Sequence, residues 1–220
     1  FKDLHFWQGK IAKITALKIA VLGMDCAVGK RTTSRFLEEQ LNMQGYFAEM
    51  IYTGQTGWMQ GADYGLLFDA TPNDFIPGEL EHALYSCWKE KGVDILIVEG
   101  QSSLRNPSGP CGSEFIISCD LDGVVLQHVP SRKKFSGFDQ YHTCIPDVLD
   151  EVDLIKHLGT QVLGITLNGE GIQAKRLIKY RDALARKTSI PVVIPMIETM
   201  DPIISNMLSL KRRNLKIKSC

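Results

Sequence analysis

From Ile19 to Thr33 the sequence reads Ile19-Ala-Val-Leu-Gly23-Met-Asp25-Cys26-Ala27-Val28-Gly29-Lys30-Arg31-Thr32-Thr33, an apolar run that passes through a glycine-flanked turn into a helical pattern. A buried strand delivered straight into a helix is the opening of a βαβ unit, which commits the chain to a parallel sheet with helical crossovers. The turn itself has the composition of a phosphate loop. Such a loop needs backbone N–H groups converging on an anion at a helix N-terminus, glycines that let the chain approach, and a lysine that reaches the outer phosphate oxygens. On this reading Gly23, Asp25, Cys26, Ala27, Val28, Gly29, Lys30, Arg31, Thr32 and Thr33 are the candidate cofactor-binding residues. Two departures stand out. Five residues, not four, separate Gly23 from Gly29, and Arg31 stands where a Ser or Thr hydroxyl ordinarily holds Mg²⁺.

The rest of the chain follows the same alternation. Strands are predicted at Lys18 to Leu22, Tyr46 to Tyr52, Asp94 to Val98, Gly123 to Gln127, Val162 to Leu167 and Pro191 to Ile194, each short and rich in Val, Ile or Leu. Helices are predicted at Thr32 to Met43, Pro77 to Lys91 and Ile172 to Lys187. Ser102 to Gly112, with Pro107, Gly109 and Pro110, reads as a mobile loop, and Ser131 to Thr143 as a second loop, basic at Arg132, Lys133 and Lys134. The expected fold class is α/β, a P-loop NTPase-like three-layer sandwich with a mostly parallel sheet flanked by helices. Residues 1–17 read as a linker-like segment and 18–220 as the single P-loop α/β domain. The opening on Phe1 rather than Met points to a piece of a longer chain with an upstream domain.

Composition narrows the partners. With 25 basic and 25 acidic residues the chain has no net field to draw it to nucleic acid or an anionic membrane surface, so a small-molecule substrate is expected, with self-association left open. Cys26, Cys87, Cys111, Cys119, Cys144 and Cys220 fall at irregular spacings and are read as reduced thiols of a cytoplasmic protein. No apolar run has the length of a membrane span, and the start carries no secretion signal.

In an open α/β sheet, ligands sit beyond the carboxyl ends of the strands. After the second strand come Thr53, Gly54, Gln55, Thr56 and Gly57, either a plain turn or a cradle for a substrate carboxylate. The third ends at Glu99-Gly100-Gln101, where Glu99 is placed to reach Mg²⁺ or to act as a general base. His128 ends the fourth, as a proton carrier or as a structural histidine. Asn168 ends the fifth, as a purine contact or a loop cap. Asp69 and Asp74, in the acidic stretch that also holds Asp63, Glu79 and Glu81, either bind a substrate ammonium or metal or are solvated.

Gly23-Met-Asp-Cys-Ala-Val-Gly-Lys-Arg-Thr-Thr33, Tyr52-Thr-Gly-Gln-Thr-Gly57, Gly78-Glu-Leu-Glu81, Val98-Glu-Gly-Gln101 and Leu126-Gln-His-Val-Pro130 together resemble the D-glutamate N-acetyltransferase-like family, long catalogued as a domain of unknown function. The likeness runs in order over nearly the whole chain, and Phe1-Lys-Asp-Leu-His-Phe-Trp-Gln-Gly-Lys10 is similar to that family's interdomain linker. It implies a C-terminal P-loop domain that follows a smaller Rossmann-like domain, absent from this sequence. It also implies acetyl-CoA as cofactor, its phosphates in the loop, Glu99 or His128 as the base, and Thr53 to Gly57 with Gln101 on the substrate. A more distant similarity is to dethiobiotin synthetase. That analogy implies ATP with Mg²⁺, Lys30 clamping phosphates, Asp25 and Glu99 as metal ligands, and Asn168 reading adenine, but it departs at Arg31. Three readings therefore stand: acetyl transfer to an acidic amino acid, an ATP-dependent ligase or kinase acting on a small carboxylate, and a non-catalytic nucleotide-sensing module.

Overall fold

The computed structural model describes residues 3–218, with side chains described as far as residue 213. Six strands form one parallel sheet: β1 (Leu17–Gly23), β2 (Ala48–Ile51), β3 (Ile95–Glu99), β4 (Gly123–His128), β5 (Val162–Leu167) and β6 (Val192–Val193), in the order β2-β3-β1-β4-β5-β6. Parallel neighbours need crossovers, and these supply α1 (Lys30–Met43), α2 (Gln55–Met59), α3 (Ile76–Lys91), α4 (Ser113–Ser118), α5 (Val148–His157) and α6 (Ala174–Thr188), with α7 (Asp201–Lys218) closing the chain. Every residue of β1 is buried, as a central strand covered on both faces must be.

Period-two alternation divides the core between two helical layers. Ile19, Val21, Ile95, Ile97 and Val125 face α1 and α7, where Leu37, Leu41, Ile203 and Met207 meet them. Ala20, Leu22, Leu96, Val98 and Leu126 face the opposite way, onto Leu80, Leu84, Phe115, Ile155 and Leu177. The same alternation carries past the apolar residues: Glu99 and Gln127 point toward α1, and His128 points to the α5–α6 side.

The predicted strands and helices agree with the structure, with differences at their edges. β2 loses Tyr46, Phe47 and Tyr52, and β6 keeps only Val192 and Val193. α1 begins two residues early, at Lys30, because Gly29 (φ 108°) takes the left-handed conformation that caps it. The predicted turn at Gln55 is the short helix α2, and α4, α5 and α7 were not singled out from the sequence. Residues 102–112 are irregular but tied down rather than loose: Cys111 N donates to Ser103 O at 2.9 Å, and Asn106 is buried.

The linker-like segment also packs on the domain. Ile11 and Ile14 enter the core, and buried Glu81 of α3 accepts from the Gln8 and Ile11 amides at 2.7 and 3.1 Å. Cys26, Cys87, Cys111, Cys119 and Cys144 are free thiols, while Cys220, like Phe1, lies outside the described residues. Among the described residues no helix is long and apolar enough to cross a membrane.

Candidate functional site

The loop between β1 and α1 is shaped by contacts that leave no room for larger residues. A Cβ on Gly23 would lie 2.8 Å from Val28 and 2.9 Å from Lys30. Ala27 and Gly29 both have positive φ, 49° and 108°, which curls the chain into a concave turn. The first amide to bond within α1 is Thr33 N, to Gly29 O at 3.0 Å, so the N–H groups of the preceding helical residues have no intrahelical partner and face the loop's mouth. Beneath that mouth lies a cavity of about 310 Å³, lined by residues 26–32 and 99–102. Such an arrangement of amides, helix dipole and lysine favours an anion.

Lys30 is folded back into this cavity, its Nζ donating to Asp25 O at 2.8 Å and Ser102 O at 2.9 Å. Burial pushes its ammonium down to about 8, against the opposing influence of Cys26 and Asp25. Ser102 supplies its carbonyl from another left-handed residue, φ 41°.

Asp25 is fully buried and engaged by protein partners. Its Oδ2 accepts from Arg132 Nη1 at 3.0 Å and the Ser136 amide at 2.8 Å, and its Oδ1 accepts from Asn106 Nδ2 at 3.3 Å. Arg132 also donates to Cys26 O at 2.7 Å and to Glu170 at 3.0 Å. Asn168 donates to Val28 O at 3.0 Å, and the hydroxyls of Thr33 and Thr166 both donate to Gln127 Oε1, at 2.5 and 2.6 Å. The phosphate loop is thus braced from four sides by Asn106, Gln127, Arg132 and Asn168. Only Asn168 of these was singled out from the sequence. Arg132 was visible as part of a basic loop, but nothing in its spacing pointed to the turn it stabilises. On the far side of exposed Thr32, a second cavity of about 270 Å³ opens between Gly29, Phe36, Asn168 and Met196.

At the other wall, Glu99 Oε1 lies 2.8 Å from Arg31 Nε, an ion pair by distance whose N–H is not directed as a hydrogen bond. Glu99 Oε2 is buried without a hydrogen-bond partner. Gly57 permits this: a Cβ there would stand 3.1 Å from Oε2 and 2.5 Å from Tyr52 Cβ. Gly54 packs under Gln101, whose Nε2 donates to Thr53 O at 3.0 Å and would lie 2.6 Å from an added Cβ. Thr53 Oγ1 is turned inward onto Glu99 O at 2.6 Å, and the Gly57 amide bonds back to Gly54 O at 3.1 Å. Of the five residues proposed as a carboxylate cradle, Gln55 and Thr56 are the exposed ones.

His128 is not brought to this cavity. It lies on the opposite face of the sheet, 3.1 Å from Tyr180 Oη, its Nδ1 buried without a partner and its ring pushed down to about 4 by burial and, secondarily, by Lys133. The Mg²⁺ that ATP chemistry requires does not fit these side chains. Arg31 replaces the hydroxyl ligand and pairs with Glu99, Asp25 is saturated by Arg132, Ser136 and Asn106, and the Thr33 hydroxyl is spent on Gln127. Among the described residues no group of three or more His, Cys, Asp or Glu gathers into a metal seat.

A protein-family profile described as a domain of unknown function, the DUF1611_C P-loop domain, matches residues 5–204. A D-glutamate N-acetyltransferase from Pseudoalteromonas sp is 28% identical over 209 residues, covering 92% of this chain and 61% of that protein. A second protein of that name, from Tritonibacter scottomollicae, is 26% identical over 179 residues, covering 79% of this chain and 53% of that protein. The chain therefore spans a little over half the length of these relatives. A DUF1611 family protein from Anabaena variabilis superposes with a TM-score of 0.86 at 24% identity, over 94% of this chain and 61% of that one. A nucleotide-binding protein from Archaeoglobus fulgidus, solved in complex with ADP, superposes with a TM-score of 0.52 at 16% identity, over 93% of this chain and 90% of that one. These two likenesses support the P-loop fold.

Proposed function

The chain belongs to the DUF1611_C family of P-loop domains, and from that premise we propose that it is the phosphate-binding part of an N-acetyltransferase that acylates the amino group of an acidic amino acid from acetyl-CoA. The observation that carries this reading is Glu99, which lines the phosphate cavity and whose buried Oε2 has no hydrogen-bond partner. A buried acceptor without a donor is costly, of order 1–3 kcal/mol, and a substrate ammonium would satisfy it. The names of the two curated relatives support the same chemistry.

In this mechanism the amides at the start of α1 and Lys30 hold the phosphates, while the cavity beside Asn168 and Phe36 takes the base. Gly54 and Gln101 would border the thioester-bearing arm, and Glu99 would face the acceptor amine. Glu99 takes one proton from the ammonium, the freed amine attacks the thioester carbonyl, and the C–N bond forms as the C–S bond breaks. The departing thiolate of CoA picks up a proton, and the amide nitrogen loses its second one. Gln55, Thr56 and Gln101 are assigned to the acceptor's carboxylate. The ATP-dependent ligase reading is disfavoured by the side chains that stand where its metal ligands should be.

Isothermal titration of the protein with acetyl-CoA and separately with ATP, each with and without Mg²⁺, tests the reading. Metal-independent heat with acetyl-CoA that disappears in Lys30→Ala is expected, and Mg²⁺-dependent ATP binding with no response to acetyl-CoA would overturn it. Glu99→Gln is expected to leave acetyl-CoA affinity intact and to lower kcat by roughly 10²–10⁴-fold with D-glutamate as the acceptor. Full turnover in that variant would remove Glu99 from the chemistry.

A further inference from the structure

In a phosphate loop the residue after the lysine ordinarily offers a hydroxyl to Mg²⁺, and an acid at the end of a neighbouring strand holds that ion or its water. Here both positions are filled by side chains that touch each other. β3 alternation turns Glu99 toward α1, and the first turn of α1 sends Arg31 back across the cavity to within 2.8 Å of it. We propose that Arg31 is the resident cation of this site: its guanidinium takes the place of the divalent ion beside Glu99 and supplies a single fixed positive charge there, so that a bound phosphate group is held by Lys30 and Arg31 without metal. The proposal rests on the phosphate-binding half of the reading above and not on acetyl transfer.

Three physical points support it. The Glu99 side chain is only 4% exposed, and a carboxylate so far from water needs a cation beside it. Arginine is the side chain that cannot escape this duty by losing its proton, whereas Lys30, with its ammonium pushed down to about 8, partly can. The guanidinium also spends only its Nε side on Glu99. Its planar fork can still donate to phosphate oxygens in the two-pronged geometry that a hydroxyl or an ammonium cannot offer.

A divalent ion would compete poorly. It would have to sit against a fixed positive charge, on a carboxylate already paired, with Asp25 tied to Arg132 and the Thr33 hydroxyl tied to Gln127. Arg31→Thr would reverse this, restoring a hydroxyl next to a buried and now uncompensated Glu99. The same surroundings should then accept Mg²⁺ or Mn²⁺.

The test uses ADP and inorganic pyrophosphate as probes in calorimetric titrations of the wild-type chain, Arg31→Thr and Arg31→Lys. In the wild type both probes should bind with the same Kd, within about twofold, in EDTA and in excess Mg²⁺. Arg31→Thr should bind at least about tenfold more weakly in EDTA and recover on addition of Mg²⁺, with bound Mn²⁺ visible by electron paramagnetic resonance only in this variant. Arg31→Lys should keep metal-independent binding at reduced affinity, since it retains the charge and loses the fork. Far-ultraviolet circular dichroism checks that the variants are folded. An affinity gain of about tenfold from Mg²⁺ in the wild type would overturn the proposal, as would an Arg31→Thr variant whose binding does not respond to metal. Metal-free binding of ADP with no binding of acetyl-CoA would leave this inference standing and remove the acetyltransferase reading. Failure of the wild type to bind either probe would remove both.

Discussion

Lys30 is the residue whose surroundings most directly set a pH response. Buried among carbonyls, its ammonium titrates near 8 rather than at the ordinary 10.5. Between those values the unfolded chain holds a proton that the folded chain has released, so this group's contribution to stability rises with pH across that window. Anion affinity moves the other way, because the charge that attracts phosphate is lost. Pyrophosphate affinity is expected to fall by up to about tenfold per pH unit above pH 8, and any residual binding in Lys30→Met should show a shallower slope from pH 7 to 10. His128 gives the complementary acid limb. With its ring pushed down to about 4, the unfolded chain takes up a proton between about 6.5 and 4 that the folded chain refuses, so stability is lost as pH falls through that range. His128→Gln can keep a hydrogen bond to Tyr180 and should flatten this limb in urea titrations while leaving kcat close to wild type. A collapse of turnover would instead return His128 to the chemistry.

Among the elements, α3 does more than cover the sheet. Its N-terminal half receives the opening segment of the chain: Gly78 lies so near the His5 carbonyl that a Cβ would come within 2.0 Å of it, and His5 stacks on His82 at 3.8 Å. Glu81 then collects the amides of Gln8 and Ile11. Glu81→Ala leaves two N–H donors without their acceptor, at about 1–3 kcal/mol for each one that stays buried. A drop of roughly 2 kcal/mol or more in urea unfolding is expected, together with faster proteolytic cleavage before Ile14. An unchanged unfolding midpoint would show that the segment is attached by its apolar residues alone.

For the molecule as a whole, the order β2-β3-β1-β4-β5-β6 places the phosphate loop at the centre of the sheet, between β3 and β4. That centrality is why Glu99 on one side and Gln127 on the other can both reach α1. The layer behind the loop is closed by α7, which seats Ile203 against β5 where only glycine fits. A Cβ on Gly164 would lie 2.4 Å from Ile203 Cγ1. Gly164→Ala is expected to cost about 1–3 kcal/mol by overpacking, and in a double-mutant cycle Gly164→Ala should cost less on an Ile203→Ala background, which removes the γ and δ carbons that the new methyl group meets. Simple additivity of the two changes would mean that α7 shifts to accommodate the methyl group.

Local chemistry is legible in the sequence alone. Short apolar runs rich in Val, Ile or Leu marked the strands, the Gly23 to Lys30 spacing marked the loop, and an acid after four apolar residues marked Glu99, because each of these depends on neighbours along the chain. α5 does carry local signals, an Asp147 cap that accepts from the Leu149 amide and Gly159 past its end, whereas α7 mixes polar and apolar residues, and both are completed as helices by the sheet they cover. The destination of side chains was decided only by tertiary structure. Asp25 looked like a metal ligand until Arg132, more than a hundred residues later in the chain, folded back onto it. His128 and Glu99 both end strands, yet one residue of register sends them to opposite faces of the sheet. Sequence by itself determined the strand, loop and helix that bind an anion. Which charges meet there, and hence whether a guanidinium or a metal ion completes the site, depended on contacts between distant segments that no local pattern encodes.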